Sequence, residues 1–433
     1  MEQTLLTEIA SKLFDNIPTE FWEDKSAEQI EQGLQQLANQ LATLLLEEFI
    51  LPARLSQIEE SVSTGSHPCS GCQQPLQLHK RGEVIHLKSI FASTIELSRH
   101  QYYCPRCETY QMVADSVLGL VGHRLTPRLA LITALCGASW SYEVASAFLH
   151  FLLGVEVSAK TVENVSCDER LQPAPLEADP LKCPPGVVGM DGVLVRSREK
   201  KKWLEMKVGS FFSEVAEISQ NRREIRDASF VSSSVQKWED FEEPVTREAE
   251  RRGLSCREAI EFVADGAAGI WSLQEVVFPY ARPRLDKFHL QEKIYQRTEE
   301  AYAEQWKREK HQEVLFEWVE EGMVEEAVSY IKQHLPRDEY RRGAAQKLIG
   351  YLERHEKHIP HYREVKAGGG AVSSGLIEKG NDLIVVRRMK EGVMHWTREG
   401  AEPVMQQRTA FINRYARGRT GPYEVAFCHA LAQ

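Results

Sequence analysis

Val187-Val188-Gly189-Met190-Asp191-Gly192-Val193-Leu194-Val195 is an apolar run rich in β-branched residues, with one carboxylate at its centre. Valines crowd a helix and suit a pleated surface, so the run predicts a β-strand. An aspartate among valines is costly to bury unless something compensates, and a divalent cation is the usual compensation. The stretch therefore announces both a sheet and a site.

Outward from it, a polar turn at Arg196 to Lys202 leads into Trp203 to Gly209 and Phe211 to Ile218, which predict two more strands in a meander. Ile260 to Ala264 is another apolar strand, ending in Asp265-Gly266. A helix over Ala267 to Phe278 and a strand over Arg282 to Asp286 follow. Three strands in a meander, then strand, helix, strand, is the order of the ribonuclease-H-like fold, in which the opening strand is central and the fourth lies beside it. Asp191 and Asp265 are then expected to face one another at the sheet centre. Carboxylates so placed can hold Mg²⁺ ions about 3.5–4 Å apart, one activating water or a 3′-hydroxyl and the other stabilising the leaving oxygen.

A third carboxylate is expected after the long, charged, helical stretch from about Leu290 to Lys366. Gly368-Gly369-Gly370 reads as a joint, and Ser373 or Ser374 as the cap of a helix. On that helix Leu376, Gly380 and Leu383 are assigned to one face, and Glu378, with Asn381, Asp382 and Val385, to the opposite one. Glu378 is the candidate, with Asp382 one turn later as the competitor. Arg387, Arg388 and Lys390 follow, spaced for phosphates.

A chain of 433 residues predicts several domains. Its net charge of −10 is unevenly distributed. Residues 1–60 carry three basic against twelve acidic side chains, whereas Lys379 to Arg419 holds nine Lys/Arg against four Asp/Glu. A basic surface for an acidic polymer thus survives the acidic total. No apolar run is long enough to span a bilayer and the first thirty residues lack a secretory signal, so a cytoplasmic protein with no membrane partner is expected.

In the first sixty residues Leu34, Leu37, Leu41, Leu44 and Leu45 fall on one face of an acidic helical arm, either packed on its own chain or used to dimerise. Cys69-Ser-Gly-Cys72 and Cys104-Pro-Arg-Cys107 present four thiolates at the spacing of a closed structural zinc site, flanking strands at Glu83 to Leu87 and Ser89 to Leu97. Cys136, Cys167, Cys183, Cys256 and Cys428 lack partners at ligand spacing and read as ordinary thiols. Helices from Pro127, from Ser141 to Gly154, and from Ala159 (capped by Ser158) to about Asp168 have the layout of a helix-turn-helix or of a plain three-helix bundle. Lys160 and Asn164 are its candidate DNA contacts.

Several of these residues resemble motifs of the Kra-type bacterial insertion-sequence transposases, a branch of the Asp-Asp-Glu transposases. They are Gly189-Met190-Asp191-Gly192 with Trp203-Leu-Glu205-Met-Lys207-Val-Gly209, then Asp265-Gly266-Ala267 with Ile270-Trp271 and Phe278-Pro279. Asp286-Lys-Phe-His289, Ser374-Gly375-Leu-Ile-Glu378, Arg387-Arg388-Met389-Lys390 and Met394-His-Trp396-Thr-Arg-Glu399-Gly400 complete them. The resemblance implies a ribonuclease-H-like core with a helical insertion. It further implies strand cleavage and transfer dependent on Mg²⁺ or Mn²⁺, binding to terminal inverted repeats of double-stranded DNA, and a homo-oligomer on that DNA. It carries Asp191, Asp265 and Glu378 over as the metal-binding set, with Asp286 and His289 near it; His289 alone reads as a packed core histidine. Trp271 and Trp396 could stack on an unpaired base, although buried core positions suit both.

The expected layout is mixed α/β and multidomain: an acidic helical arm (1–60), a zinc-ribbon-like module (61–120), a helix-turn-helix-like domain (121–172), a ribonuclease-H-like core (186–289 and 371–415) and a helical insertion (290–366). The competing expectations are a DNA-binding regulator derived from an inactive transposase, and a structure-specific nuclease of the same fold.

Overall fold

The computed structural model describes residues 23–171, 186–199, 203–212, 214–219, 222–226, 228–254, 260–368, 370–371, 375–390 and 394–416. The chain is a mixed α/β protein whose described residues divide into two compact units, one of 23–137 with 142–165 and one of 138–141 with 166–416. No helix among them is long and apolar enough to cross a membrane. The proline-rich segment 173–185 and the expected caps Ser373 and Ser374 lie outside the described residues.

The first unit opens on helix α1 (Ala27–Leu45), started by a reciprocal capping pair between Ser26 and Gln29. A π-helical turn, Leu46–Ile50, joins it to α2 (Leu51–Ser63). Strands β1 (Gln77–Lys88), β2 (Thr94–Cys104) and β3 (Thr109–Gln111) form an antiparallel sheet. Both long strands exceed expectation, and Ser89 to Ser93, taken partly as strand, is instead their turn: the Ser89 N–H donates to the Ser93 carbonyl at 2.9 Å. Polar residues there bond locally, an alternative to pairing across the sheet. After α3 (Val113–Val117) come α4 (Pro127–Ser139), α5 (Tyr142–Leu153) and α6 (Ala159–Ser166), the last capped by Ser158, whose hydroxyl accepts the Thr161 N–H at 3.1 Å.

The second unit is built on a five-stranded sheet. Its strands are β4 (Val187–Arg196), β5 (Trp203–Phe212), β8 (Ser229–Ser233), β9 (Glu261–Ala264) and β10 (Arg282–Leu285), in the order β10-β9-β4-β5-β8. β4 to β5 and β5 to β8 are antiparallel, while β4 to β9 and β9 to β10 are parallel. The opening strand is therefore central, with the fourth strand of the sheet beside it.

Two expectations needed correction. Phe211 and Phe212 end β5 instead of starting a new strand, and among the described residues Glu214–Ser219 (β6) pairs with Arg222–Arg226 (β7) in a separate two-stranded ribbon. The third strand of the main sheet is Ser-Phe-Val-Ser-Ser at 229–233, which no hydrophobic pattern marks. Its buried hydroxyls are satisfied by distant partners: Ser229 donates to Glu248 at 2.5 Å, and Ser232 shares a 2.7 Å bond with Thr409.

One face of the sheet (Val188, Met190, Phe211, Phe262, Ala264) packs on α7 (Glu242–Arg251) and α8 (Ala268–Val277). The same core continues without a break into α9 (Lys287–Ala301), α10 (Gln305–Glu320), α11 (Val324–Gln333) and α12 (Glu339–His355), ending near Tyr362 at the start of α13 (Tyr362–Ala367). The other face (Val193, Val195, Met206, Val208, Phe230) is covered by α14 (Gly375–Asn381), a π-helical segment Asp382–Lys390, and α15 (Arg398–Ala416).

Candidate active site and metal centre

Two carboxylates meet at the centre of the five-stranded sheet. Met190 of β4 is in register with Ala264 of β9 in the parallel pair, so the next residues along, Asp191 and Asp265, are adjacent across it. The Asp191 carboxylate accepts the Gly192 N–H on one oxygen at 2.7 Å and the Asn381 side-chain N–H on the other at 2.5 Å. Asp265 accepts the Ala267 N–H at 2.9 Å, which shapes the turn from β9 into α8. Burial first, and then the negative charge of Asp265, push the Asp191 carboxyl up to about 6 against the pull of its hydrogen-bond donors and of His289.

Close approach of α14 brings Asn381 there. A Cβ on Gly189 would collide with the Ile377 side chain, and one on Gly380 would lie 2.8 Å from the Phe230 ring. Gly189 thus makes room for the Ile377 side chain, and Gly380 lets the helix backbone rest on the Phe230 ring. The buried stripe of this helical segment is Ile377, Gly380, Asn381, Ile384, Val385 and Arg388. That differs from the expected division, which placed Glu378, Asn381, Asp382 and Val385 together: Asn381 and Val385 point inward, and Glu378 is exposed. Asp382 is held at the surface by Lys379 at 3.3 Å and Arg387 at 2.9 Å, and those cations keep its carboxyl below the usual range. Among the described residues the ligand atoms of Asp191, Asp265 and Glu378 do not all lie within 4.8 Å of one another, as those of the four cysteines below do.

Asp286 is fully buried and caps α9, accepting the His289 N–H at 2.9 Å. The capping bond accounts for the Asp-x-x-His spacing, since an N-cap side chain reaches the third residue on. His289 Nε2, Asn381 Oδ1, the Tyr351 hydroxyl and His355 Nδ1 are buried polar atoms without a hydrogen-bond partner. His355, on α12, lies against Gly266, whose added Cβ would stand 3.2 Å from its ring. Sequence reasoning missed Tyr351 and His355, because nothing local in a charged helix marks them.

The other named residues divide between core and surface. Trp271 stacks on His358 at 4.0 Å, and Trp396 is buried with its indole N–H donating to Met389. Arg388, expected at phosphates, is 1% exposed and lies 4.9 Å over the Trp396 ring, so packing and not solvent surrounds it. Arg387, Lys390, Lys160 and Asn164 are exposed, with Lys160 paired to Glu163. The motif residue Lys207 is fully buried on the opposite sheet face, donating to the Val235 carbonyl and to Glu205. Glu205 in turn fills the space left by Gly192.

In the first unit the Sγ atoms of Cys69, Cys72, Cys104 and Cys107 all lie within 4.8 Å of one another and could hold a metal ion such as zinc. Tetrahedral Zn–S bonds of about 2.3 Å require sulfurs roughly 3.8 Å apart. The Cys69–Cys107 and Cys72–Cys104 separations are 3.9 and 3.5 Å. The Cys72 backbone N–H draws the Cys69 thiol down to about 6, while the crowding sulfurs, Cys72 first, push Cys107 up to about 12. Four thiolates cannot all be charged there without a cation.

The family whose model matches the chain is described as Uncharacterised protein family (UPF0236), over residues 77–422. That range takes in Asp191, Asp265, His289, Glu378 and Asn381 as well as Cys104 and Cys107, but begins after Cys69 and Cys72. No curated protein matches the chain.

Proposed function

The chain belongs to the uncharacterised protein family UPF0236, and we propose that it is a DNA transposase with a ribonuclease-H-like catalytic core, cleaving and joining strands at the ends of an insertion sequence. One observation carries the reading: the sheet order β10-β9-β4-β5-β8 puts Asp191 on the central opening strand beside Asp265 at the end of the fourth. Fold alone hosts many chemistries, so the argument rests on that pair and its surroundings.

The donor set fits a hard divalent cation, Mg²⁺ or Mn²⁺. Two adjacent carboxylates supply the charge, and the buried carbonyl oxygen of Asn381, whose amide nitrogen bonds Asp191, stands without a partner. Asp191 and Asp265 would hold the cation, which when bound supplies an activated water or 3′-hydroxyl and a stabilised leaving oxygen. The chain's own residues fix the geometry: Gly192 and Asn381 orient Asp191, and the Ala267 N–H orients Asp265. Glu378 is the third acid of this reading. Exposed Arg387 and Lys390, and Lys160 and Asn164 on α6, supply contacts to double-stranded DNA. Such an enzyme would act on DNA ends as a homo-oligomer.

The test is Mg²⁺-dependent nicking of a plasmid carrying the DNA that flanks the gene. Wild type nicks it, and Asp191→Asn and Asp265→Asn bind without nicking; cleavage that survives either substitution overturns the assignment. The exposure of Glu378 favours a second reading, a transposase-derived DNA-binding regulator without turnover. Binding without nicking by wild type would select it.

A further inference from the structure

Asn381 stands out because its two ends have different fates. It is 5% exposed, its amide nitrogen donates to Asp191 at 2.5 Å, and its carbonyl oxygen is buried without a hydrogen-bond partner. With Asp191 ionised, reversing the amide would bring two acceptor oxygens to that distance, so the nitrogen faces Asp191. A buried acceptor left empty on an amide that bonds Asp191 is costly unless an electropositive atom meets it.

We propose that Asn381 is a positioning residue of the carboxylate site, holding Asp191 through its N–H and presenting its carbonyl oxygen to the divalent cation that Asp191 and Asp265 would share. This rests on the metal-dependent reading above. Asparagine is suited to both tasks: an aspartate could not donate to Asp191, and glutamine would carry the amide one methylene too far. The support is rigid, because Ile377 is set against Gly189 and Gly380 against Phe230 in the turn that leads up to Asn381 on the same helix.

The experiment measures Mn²⁺ binding to the full chain, by the electron paramagnetic resonance signal of free Mn²⁺, and the Mn²⁺-induced rise in melting temperature. Asn381→Ala is expected to weaken Mn²⁺ binding at least about tenfold, the loss common for residues that orient metal ligands. Asn381→Asp keeps the shape and adds a carboxylate. It should melt lower than wild type without Mn²⁺, and gain more on adding it, because the cation relieves the new repulsion. A purely structural asparagine would lower the melting temperature in both variants and leave the Mn²⁺-induced rise as in wild type, which overturns the proposal. Should Asn381→Ala fail to fold, Asn381→Ser takes its place, with the same loss of Mn²⁺ affinity expected. Asp191→Asn and Asp265→Asn separate the two levels of failure. If only they lose Mn²⁺, the role of Asn381 falls; if no variant does, the metal reading falls and this inference with it.

Discussion

Removing the charge of Asp191 should make the metal-free protein more stable at neutral pH, although it removes a native interaction. The carboxyl is raised from its ordinary 3.8 to about 6 by burial and by Asp265. A raised acid binds its proton more tightly in the folded state than in the unfolded one. Stability is therefore lost as pH rises from about 4 to about 6, and the full cost stands above that window. A shift of about two units corresponds to roughly 3 kcal/mol at most. Asp191→Asn avoids the charge but accepts the Asn381 N–H more weakly, so a net gain of about 2 kcal/mol is expected. In a unit of this size that is about 5 °C in Tm. The assay is thermal unfolding followed by tryptophan fluorescence between pH 4 and 8 without added magnesium or manganese. The difference between variant and wild type should grow across the window and then stay level. Adding Mg²⁺ should raise the Tm of wild type alone. A difference that is flat with pH, or a variant less stable at pH 8, would refute the reasoning.

Purified full-length protein should carry about one zinc per chain by elemental analysis, and Cys104→Ser should remove it and unfold the first unit's sheet, since metal affinity in such a module is folding energy; full zinc retention in that variant contradicts the four-sulfur site. Gly380→Ala drives a methyl into the Phe230 ring and should cost about 1–3 kcal/mol in urea unfolding, while also weakening Mn²⁺ binding by moving Asn381; unchanged stability would mean that the helix is not seated as described. Arg388→Ala should destabilise the fold, having lost a buried guanidinium over Trp396, and leave the salt dependence of DNA binding unaltered. Lys390→Ala should do the reverse, leaving stability intact and lowering the salt slope by about one; a change of slope in the arginine variant would place it at the DNA.

The sheet was legible where apolar, β-branched runs made it so: β4, β9 and β10 were visible to within a residue or two, and with them the two aspartates. β8 was not, because its buried face is made of serines whose partners, Glu248, Thr409 and Glu402, lie up to 177 residues away. No local pattern encodes a hydroxyl that is polar in sequence and satisfied only after folding. The helix over the site was read one position out of phase. Leu376 and Leu383 drew the apolar face toward themselves, yet Ile377, Ile384 and the small Gly380 set the buried stripe, and a change to π-helical geometry after Asn381 turned Asp382 outward. Glycine carries no hydrophobic signal, so a face defined by close approach escapes a count of apolar side chains.

The core that runs from Val188 through the sheet helices to Leu352 also limits how the gene can be cut. A loop insertion with its own interior can be deleted, transplanted or tagged at its joints. Here excising 287–366 would strip α8 and the edge strand β10 of their cover, exposing Phe278, Leu285 and Trp271 together. Truncated versions meant to isolate the five-stranded sheet should aggregate, and sites for fusion or circular permutation belong outside that stretch.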